Sequence, residues 1–405
     1  MVRTLQMAWR NLWRNGRRSV VTIAAMAFAL WVMLLYSGMI RGMLRQMESS
    51  VLDMEVGSIQ VTVQGYQDDP SLYQLIDDPQ AIVDQVQQLG GTAAARLLGG
   101  GLAGVGQSSA GVSIVGIDVA RDGRVVQVSQ QIEQGAWLDP TDPKGAVIGR
   151  KLARTLGAKV GDELLLLSQA ADGSVANDLY TIKGVLGTVS DPVDRTTVFL
   201  TQGAFRDLMV VPTGAQLITV RMPPSADLDA TAAALTQAHA GLDVKTWRQI
   251  VPIVATMMAS TKSIIGLVSF LLYFAVAILV LNGMLMVVFE RIREFGVMKA
   301  IGYGPGTVFR LICVEAGLQA LLATTTALLL ALPAMVYMQT VGINVGALSG
   351  MSVMGMTLTQ NWRGLYTPDQ AVTPIISLWV MIGLAALWPA VKAARIRPLD
   401  AMRYL

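Results

Sequence analysis

Twenty-six consecutive residues, Ile264 to Phe289, carry no charge. As a helix rising 1.5 Å per residue this run reaches about 39 Å, more than the roughly 30 Å hydrocarbon core of a bilayer. It predicts a membrane-spanning helix that tilts or projects beyond the lipid. Three further stretches are long and apolar enough to cross: Val20 to Ile40, the middle of Thr307 to Tyr337, and Val372 to Val391. The composition fits, with 15% charged residues against about 25% in soluble domains. Scattered glycines and prolines exclude a collagen-like or disordered chain. A lone cysteine, Cys313, cannot form an intrachain disulfide or a multi-cysteine zinc site, and a lone histidine, His239, argues against a zinc or haem enzyme.

The charges divide the chain. Residues 46–261 hold 14 Lys+Arg and 23 Asp+Glu; the remainder holds 17 and 5. The basic residues fall beside apolar runs, so membrane topology explains them better than nucleic acid does. Arg3, Arg10, Arg14, Arg17 and Arg18 precede the first span. Arg291, Arg293, Lys299 and Arg310 separate the second from the third, and Lys392, Arg395, Arg397 and Arg403 follow the fourth. The positive-inside rule makes these regions and both termini cytoplasmic and segment 46–261 extracytoplasmic. The first span, about 21 residues, is too long for the apolar region of a signal peptide, which marks a retained anchor.

The expected order is an amphipathic interfacial helix at 1–18, a first span at 19–45, an extracytoplasmic domain at 46–261 and a second span at 262–289. A cytoplasmic helical connection at 290–306, a third span at 307–340, a short outer loop at 341–371, a fourth span at 372–391 and a tail at 392–405 complete it. Leu5, Trp9, Leu12 and Trp13 recur at helical spacing and would lie at the membrane surface. The outer segment mixes short β-branched or alternating runs (Ser58 to Val63, Val112 to Ile117, Asp162 to Leu167, Tyr180 to Leu186, Thr196 to Leu200, Leu217 to Met222) with helical stretches (Pro79 to Leu89, Arg150 to Leu156, Asp227 to Ala240). The fold class is therefore membrane α-helical, with four transmembrane helices and a large extracytoplasmic α+β domain.

Gly99-x-Gly101-x-x-Gly104 matches a dinucleotide fingerprint in letters only. It follows an Ala-rich stretch that reads as helix, so a flexible turn is expected there. No G-x-x-x-x-G-K-[ST] occurs, so any ATP hydrolysis belongs to another chain. Within the spans, Asn282 suits interhelical hydrogen bonding, and Glu315 suits either an interhelical contact near Arg310 or a cargo or proton-relay role.

The strongest local signal is Glu290-Arg-Ile-Arg-Glu-Phe-Gly-Val-Met-Lys-Ala-Ile-Gly302. Ile292, Phe295, Met298 and Ile301 form an apolar stripe. Gly296 permits close approach of another backbone, and Gly302, Gly304, Pro305 and Gly306 end the helix. The physics alone leaves two readings, a membrane-surface helix and a partner-docking helix.

This stretch closely resembles the coupling-helix signature E-R-x-x-E-[FIY]-G-x-x-[KR]-A-[IL]-G of FtsX-like ABC permeases, the family that includes MacB-type efflux and LolC/LolE lipoprotein-releasing subunits. Pro389-Ala390, Ala393-Ala394, Pro398, Ala401 and Arg403 resemble its C-terminal ending, and Ala8-Trp9-Arg10-Asn11-Leu12 its opening. Gly116-Ile117-Asp118, Gly135-Ala136-Trp137-Leu138 and the run Leu152 to Asp162 are similar to its outer-domain pattern.

The resemblance implies a permease subunit of the bacterial inner membrane, paired with a second permease subunit of the same or another kind. A separate cytoplasmic P-loop ATPase dimer would carry the ATP and Mg, and this chain would bind no cofactor or metal and catalyse nothing itself. The residues implied to couple to that ATPase are Glu290, Arg291, Arg293, Glu294, Phe295, Gly296, Lys299, Ala300 and Gly302. A lipoprotein or other lipophilic cargo taken from the outer leaflet is preferred, because the spans offer almost no ionisable lining. Met33 and Tyr36 are the candidate cargo-facing residues, with packing against helices or lipid as the alternative. MacB-type efflux of periplasmic substrates and FtsX-type regulation of cell-wall hydrolases are the other roles implied. A periplasmic chaperone is a further possible partner, although the hairpin that would hook it, Ser168 to Asp178, is short and polar.

Overall fold

The computed structural model describes residues 2–14, 16–344, 352–353, 356–357 and 361–396. Arg397, Pro398, Ala401 and Arg403 of the C-terminal motif, and much of the expected outer loop, lie outside the described residues. The chain divides into a helical unit (residues 1–44, 258–344 and 361–405) and a second unit (45–257 and 345–360).

In chain order, α1 (Val2–Arg14) and α2 (Gly16–Val51) are followed by β1 (Ile59–Val63), α3 (Pro79–Gln88), β2 (Thr92–Val105), β3 (Ser108–Ile117), α4 (Val119–Val125), β4 (Ile132–Gly135), β5 (Gly145–Ile148) and α5 (Arg150–Leu156). Next come β6 (Glu163–Gln169), β7 (Val175–Leu186), α6 (Asp191–Thr196), β8 (Thr197–Thr201), α7 (Gln202–Met209), β9 (Leu217–Arg221), α8 (Leu228–Ala238), β10 (Leu242–Thr246) and α9 (Trp247–Ile250). The chain continues through α10 (Pro252–Glu290), α11 (Ile292–Ala300) and α12 (Pro305–Thr340). Four two-residue strands then precede α13 (Pro368–Arg395): β11 (Ile343–Asn344), β12 (Ser352–Val353), β13 (Met356–Thr357) and β14 (Asn361–Trp362).

The second unit is built on one ten-stranded sheet in the order β10-β1-β9-β2-β3-β8-β5-β7-β4, with β6 pairing both β2 and β7. Only β3 with β8 and β5 with β7 run parallel. Local chemistry places the helices: Asp78 caps α3 by accepting from the Ala81 N–H with Pro79 in the first turn, and Gly157 ends α5 at φ 67°. A buried cluster around Leu97, Ile114, Leu164, Ile182, Leu200 and Phe205 forms the largest core.

The Gly99-x-Gly101-x-x-Gly104 segment is not a flexible turn. It lies inside β2, and the Ala-rich stretch before it is strand as well. β2 pairs with β3 from Arg96–Ile117 to Val105–Ser108, with β9 from Thr92 to Arg96 and with β6 from Leu102 to Gly104. Ladder bonds on both edges outweigh the helix preference of three alanines. The glycine at 101 has a packing reason, since a Cβ there would lie 2.7 Å from the Leu167 carbonyl oxygen. The hairpin between β6 and β7 turns at Ala170 to Ser174, where Asp172 accepts from the Ser174 N–H and hydroxyl.

In the helical unit, four helices are long and apolar enough to cross a membrane: Gly16–Met54, Pro252–Glu290, Pro305–Thr340 and Ala371–Arg395. On α12, Ala316, Ala320, Ala323, Ala327 and Ala331 are all buried, a stripe of small residues that lets neighbouring helices approach closely. Against it pack Met26, Leu30, Met33 and Leu34 of α2, Tyr273 and Val280 of α10, and Leu378 and Ile382 of α13. The Trp379 indole N–H donates to Thr324 Oγ1 at 3.1 Å. At the other end of α2, Gly38 lies against the Tyr366 ring, whose hydroxyl donates to the Leu35 carbonyl at 3.1 Å.

Candidate functional site

The sequence predicts one helix over 290–302, and the structure resolves its limits. α11 starts at Ile292 after a break at Arg291 and ends at Ala300, with Gly302 at φ 105° turning the chain toward α12. The apolar stripe divides. Ile292 is buried, Phe295 is buried against Ala8, Val288, Val308, Leu311, Ile312, Ala390 and Ala393, Met298 is half-buried, and Ile301 is 73% exposed. Gly296 is buried within the chain.

Charges fasten α11 and the two residues that lead into it to their surroundings from four directions. Arg14 of α1 donates to Glu294 Oε1 at 2.6 Å, and Arg18 of α2 meets Glu290 at 3.2 Å. Arg291 donates from Nε to Glu294 Oε2 at 2.9 Å, stacks on Phe295, and reaches Glu315 of α12 at 3.6 Å. Lys299 donates to the carbonyls of Ala394 at 2.6 Å and Ile396 at 2.8 Å, satisfying acceptors left open at the end of α13. Arg14, Glu294, Arg291 and Glu315 therefore form a chain of alternating sign from the helix surface to a buried carboxylate. Burial acts to raise the Glu294 carboxyl, but the Arg291 hydrogen bond and the charges of Arg291 and Arg14 outweigh it and hold it below its usual value. A cavity of about 20 Å³ lined by Arg18, Thr22, Glu315 and Gln319 adjoins the inner end of this chain.

The remaining sequence candidates fall as follows. Arg293, Ala300 and Gly302 are exposed, as are Val297 and Tyr303. Asn282 is exposed on α10 rather than placed between helices of this chain. Met33 is buried in the four-helix core, the helix-packing alternative of its two readings, while Tyr36 is half-buried. Glu315 lies 3.6 Å from Arg291, which leads into α11, an interhelical contact. Sequence reasoning named Arg14 and Arg18 for topology and missed them as partners. The available signal was that Glu290 and Glu294 are two of only five acids outside segment 46–261, all near an arginine excess. Among the described residues no group of three His, Cys, Asp or Glu is placed to hold a metal ion.

Residues 19–238 match the family described as MacB-like periplasmic core domain, and residues 266–398 match the FtsX-like permease C-terminal family. The first match alone covers more than half of the chain. The chain belongs to the MacB/FtsX/LolC family of ABC transporter permeases. It is 23% identical over 325 residues to the lipoprotein-releasing system transmembrane protein LolC of Xylella fastidiosa strain 9a5c, covering 71% of this chain and 72% of the relative. LolC of strain Temecula1 matches to the same extent. Among solved structures, the periplasmic region of MacB from Actinobacillus actinomycetemcomitans aligns at 12% identity and TM-score 0.36, covering 49% of this chain and 92% of that one. The extracellular domain of the transporter YknZ from Gram-positive bacteria aligns at 12% identity and TM-score 0.34, covering 47% and 100%. The permease is thus an inner-membrane, multi-pass protein with a large extracytoplasmic α+β domain. Family membership implies a partner ATPase and a permease partner.

Proposed function

We propose that this permease passes the motion of a cytoplasmic ATPase dimer through α11 to its extracytoplasmic domain, and that its work is to extract lipoproteins or similarly lipophilic cargo from the outer leaflet. The observation that carries the coupling reading is the split character of α11. Its Glu294 and Lys299 are bound to α1 and α13, and Glu290 and Arg291 just before it to α2 and α12, while Val297, Ile301 and Tyr303 stay exposed. A helix anchored on one side and apolar on the other transmits a push without deforming. It also connects directly to α10, one continuous helix from Pro252 to Glu290. On this reading both termini and α11 are cytoplasmic, the chain hydrolyses no ATP, and ATP and Mg reside on the partner.

Support for a lipophilic cargo is that Glu315 is buried against Arg291 and not presented to a hydrated path, whereas the spans expose Phe28, Phe270, Phe274, Leu329 and Trp388. The relationship to LolC of Xylella fastidiosa, a lipoprotein-releasing protein by name, points the same way. The test is reconstitution of the permease with its ATPase in proteoliposomes carrying an acylated lipoprotein. ATP-dependent release of that lipoprotein is expected; release that is equal without ATP, or none while a soluble substrate is exported, overturns the cargo reading.

A further inference from the structure

Of the arginines on α1 and at the start of α2, Arg14 and Arg18 are taken up by Glu294 and Glu290. Arg10 has no hydrogen bond or ion pair among the described residues, yet it lines a cavity of about 980 Å³ together with Thr4, Trp9, Tyr303, Thr307 and Leu318. Among the described residues no carboxylate lines that cavity. Arg10 is exposed, and a guanidinium, charged at every accessible pH, binds phosphate oxygens through two parallel N–H groups, so it offers this cavity a ready contact for an anion.

We propose that this cavity holds the headgroup of one anionic phospholipid from the leaflet on which α1 lies. Arg10 would take the phosphate, with the hydroxyls of Thr4, Thr307 and Tyr303 able to bind its oxygens or the glycerol. The aromatic and aliphatic lining distinguishes a lipid from a free anion. Ala8 and Leu12 of α1 are buried in the protein, whereas Leu5, Trp9 and Trp13 are exposed at 52%, 44% and 54%. Trp9 and Trp13 pack edge to face at 5.9 Å. Exposed indoles beside a cation are the arrangement that sits at headgroup depth, with the leucine among acyl chains. The inference rests on the membrane location of the spans and is independent of which cargo the permease moves.

The test uses the full chain in detergent, with phosphatidylglycerol or phosphatidylcholine added and the bound lipid counted by native mass spectrometry. One phosphatidylglycerol per chain is expected to be retained in preference to phosphatidylcholine. Arg10→Gln should weaken retention about fivefold, Arg10→Lys should restore part of it, and Leu318→Trp should weaken it by filling the cavity. Arg17→Gln removes the same charge without touching the cavity lining and should leave retention unchanged. Equal retention of both lipids, equal weakening by Arg10→Gln and Arg17→Gln, or displacement of the lipid by millimolar inorganic phosphate each overturns the proposal. Melting temperatures verify folding; if Leu318→Trp fails to fold, the comparison of Arg10→Gln with Arg17→Gln decides alone.

Discussion

Two buried arginine–carboxylate pairs stand in the two units of this protein, and they are made differently. In the extracytoplasmic domain Arg96 grips Asp122 through two hydrogen bonds, 2.6 and 3.0 Å, with side-chain exposures of 7% and 3%. In the helical unit Arg291 reaches Glu315 only at 3.6 Å and divides its guanidinium between that carboxylate, Glu294 and the Phe295 ring. The first pair is closed and two-pronged, so any displacement breaks it outright. The second is long and shared, so the helix bearing Arg291 can shift while some of its charge stays compensated. Similar chemistry thus takes a closed geometry in one place and a shared one in the other.

The largest effect should come from breaking the closed pair. Asp122→Ala leaves the Arg96 charge buried without its carboxylate and should destabilise the domain by about 3–5 kcal/mol. Urea unfolding of the purified protein followed by tryptophan fluorescence measures this; a loss below about 1 kcal/mol would show that the pair is no tighter than a surface bridge. Next comes the shared pair. Arg291→Glu sets a carboxylate against Glu294 and Glu315, and ATP-driven transport should fall about tenfold, equivalent to about 1.4 kcal/mol. Adding Glu315→Arg should recover much of it, and absence of recovery would mean that Arg291 acts on the ATPase rather than on α12.

A smaller change should come from the exposed tip. Ile301→Asp should weaken copurification with the ATPase while moving stability by less than about 0.5 kcal/mol. Sequence reading assigned docking to Glu294, and in the structure Glu294 also holds Arg14 and Arg291. Glu294→Lys should therefore disturb the seating of α11 itself, which hydrogen exchange of Ile292–Ala300 would detect.

The smallest effects are in pH dependence, and they have opposite signs in the two units. Glu294 is held below its usual value. Its contribution, at most about 1 kcal/mol for a part-exposed pair, is present above the unfolded value and is lost as pH falls through the folded one. Asp194 is raised by burial, which outweighs the Val189 N–H bond and the charges of Arg150 and Lys151. Its contribution is fully present below the unfolded value and is lost as pH rises through the folded one. Melting temperatures between pH 3 and 6 should show Glu294→Gln flattening the acid-side drop and Asp194→Asn flattening the loss on rising pH. Identical profiles for the two variants would remove the contrast.

Much of the architecture was legible because the membrane imposes it locally. Twenty-six uncharged residues specify a spanning helix whatever surrounds them, since lipid offers no partner for exposed backbone groups. The E-R-x-x-E-F-G-x-x-K-A-I-G run carries its helix, its glycine stop and its family resemblance in thirteen consecutive positions. Strands such as β1, β6 and β9 showed through their alternation or β-branched runs for the same reason: the signal lies within five to seven residues.

What only the tertiary structure decided depends on residues far apart in the chain. Alanines 93 to 95 and the glycines after them become strand because β3, β6 and β9 satisfy both edges, which no local propensity anticipates. That Arg14, 280 residues away in the chain, meets Glu294 was likewise not legible locally. Sequence periodicity specifies which residues share a helix face. Which face meets protein, lipid or a partner is settled by the free energy of long-range packing, so Leu12 is buried while its neighbours Trp9 and Trp13 remain outside.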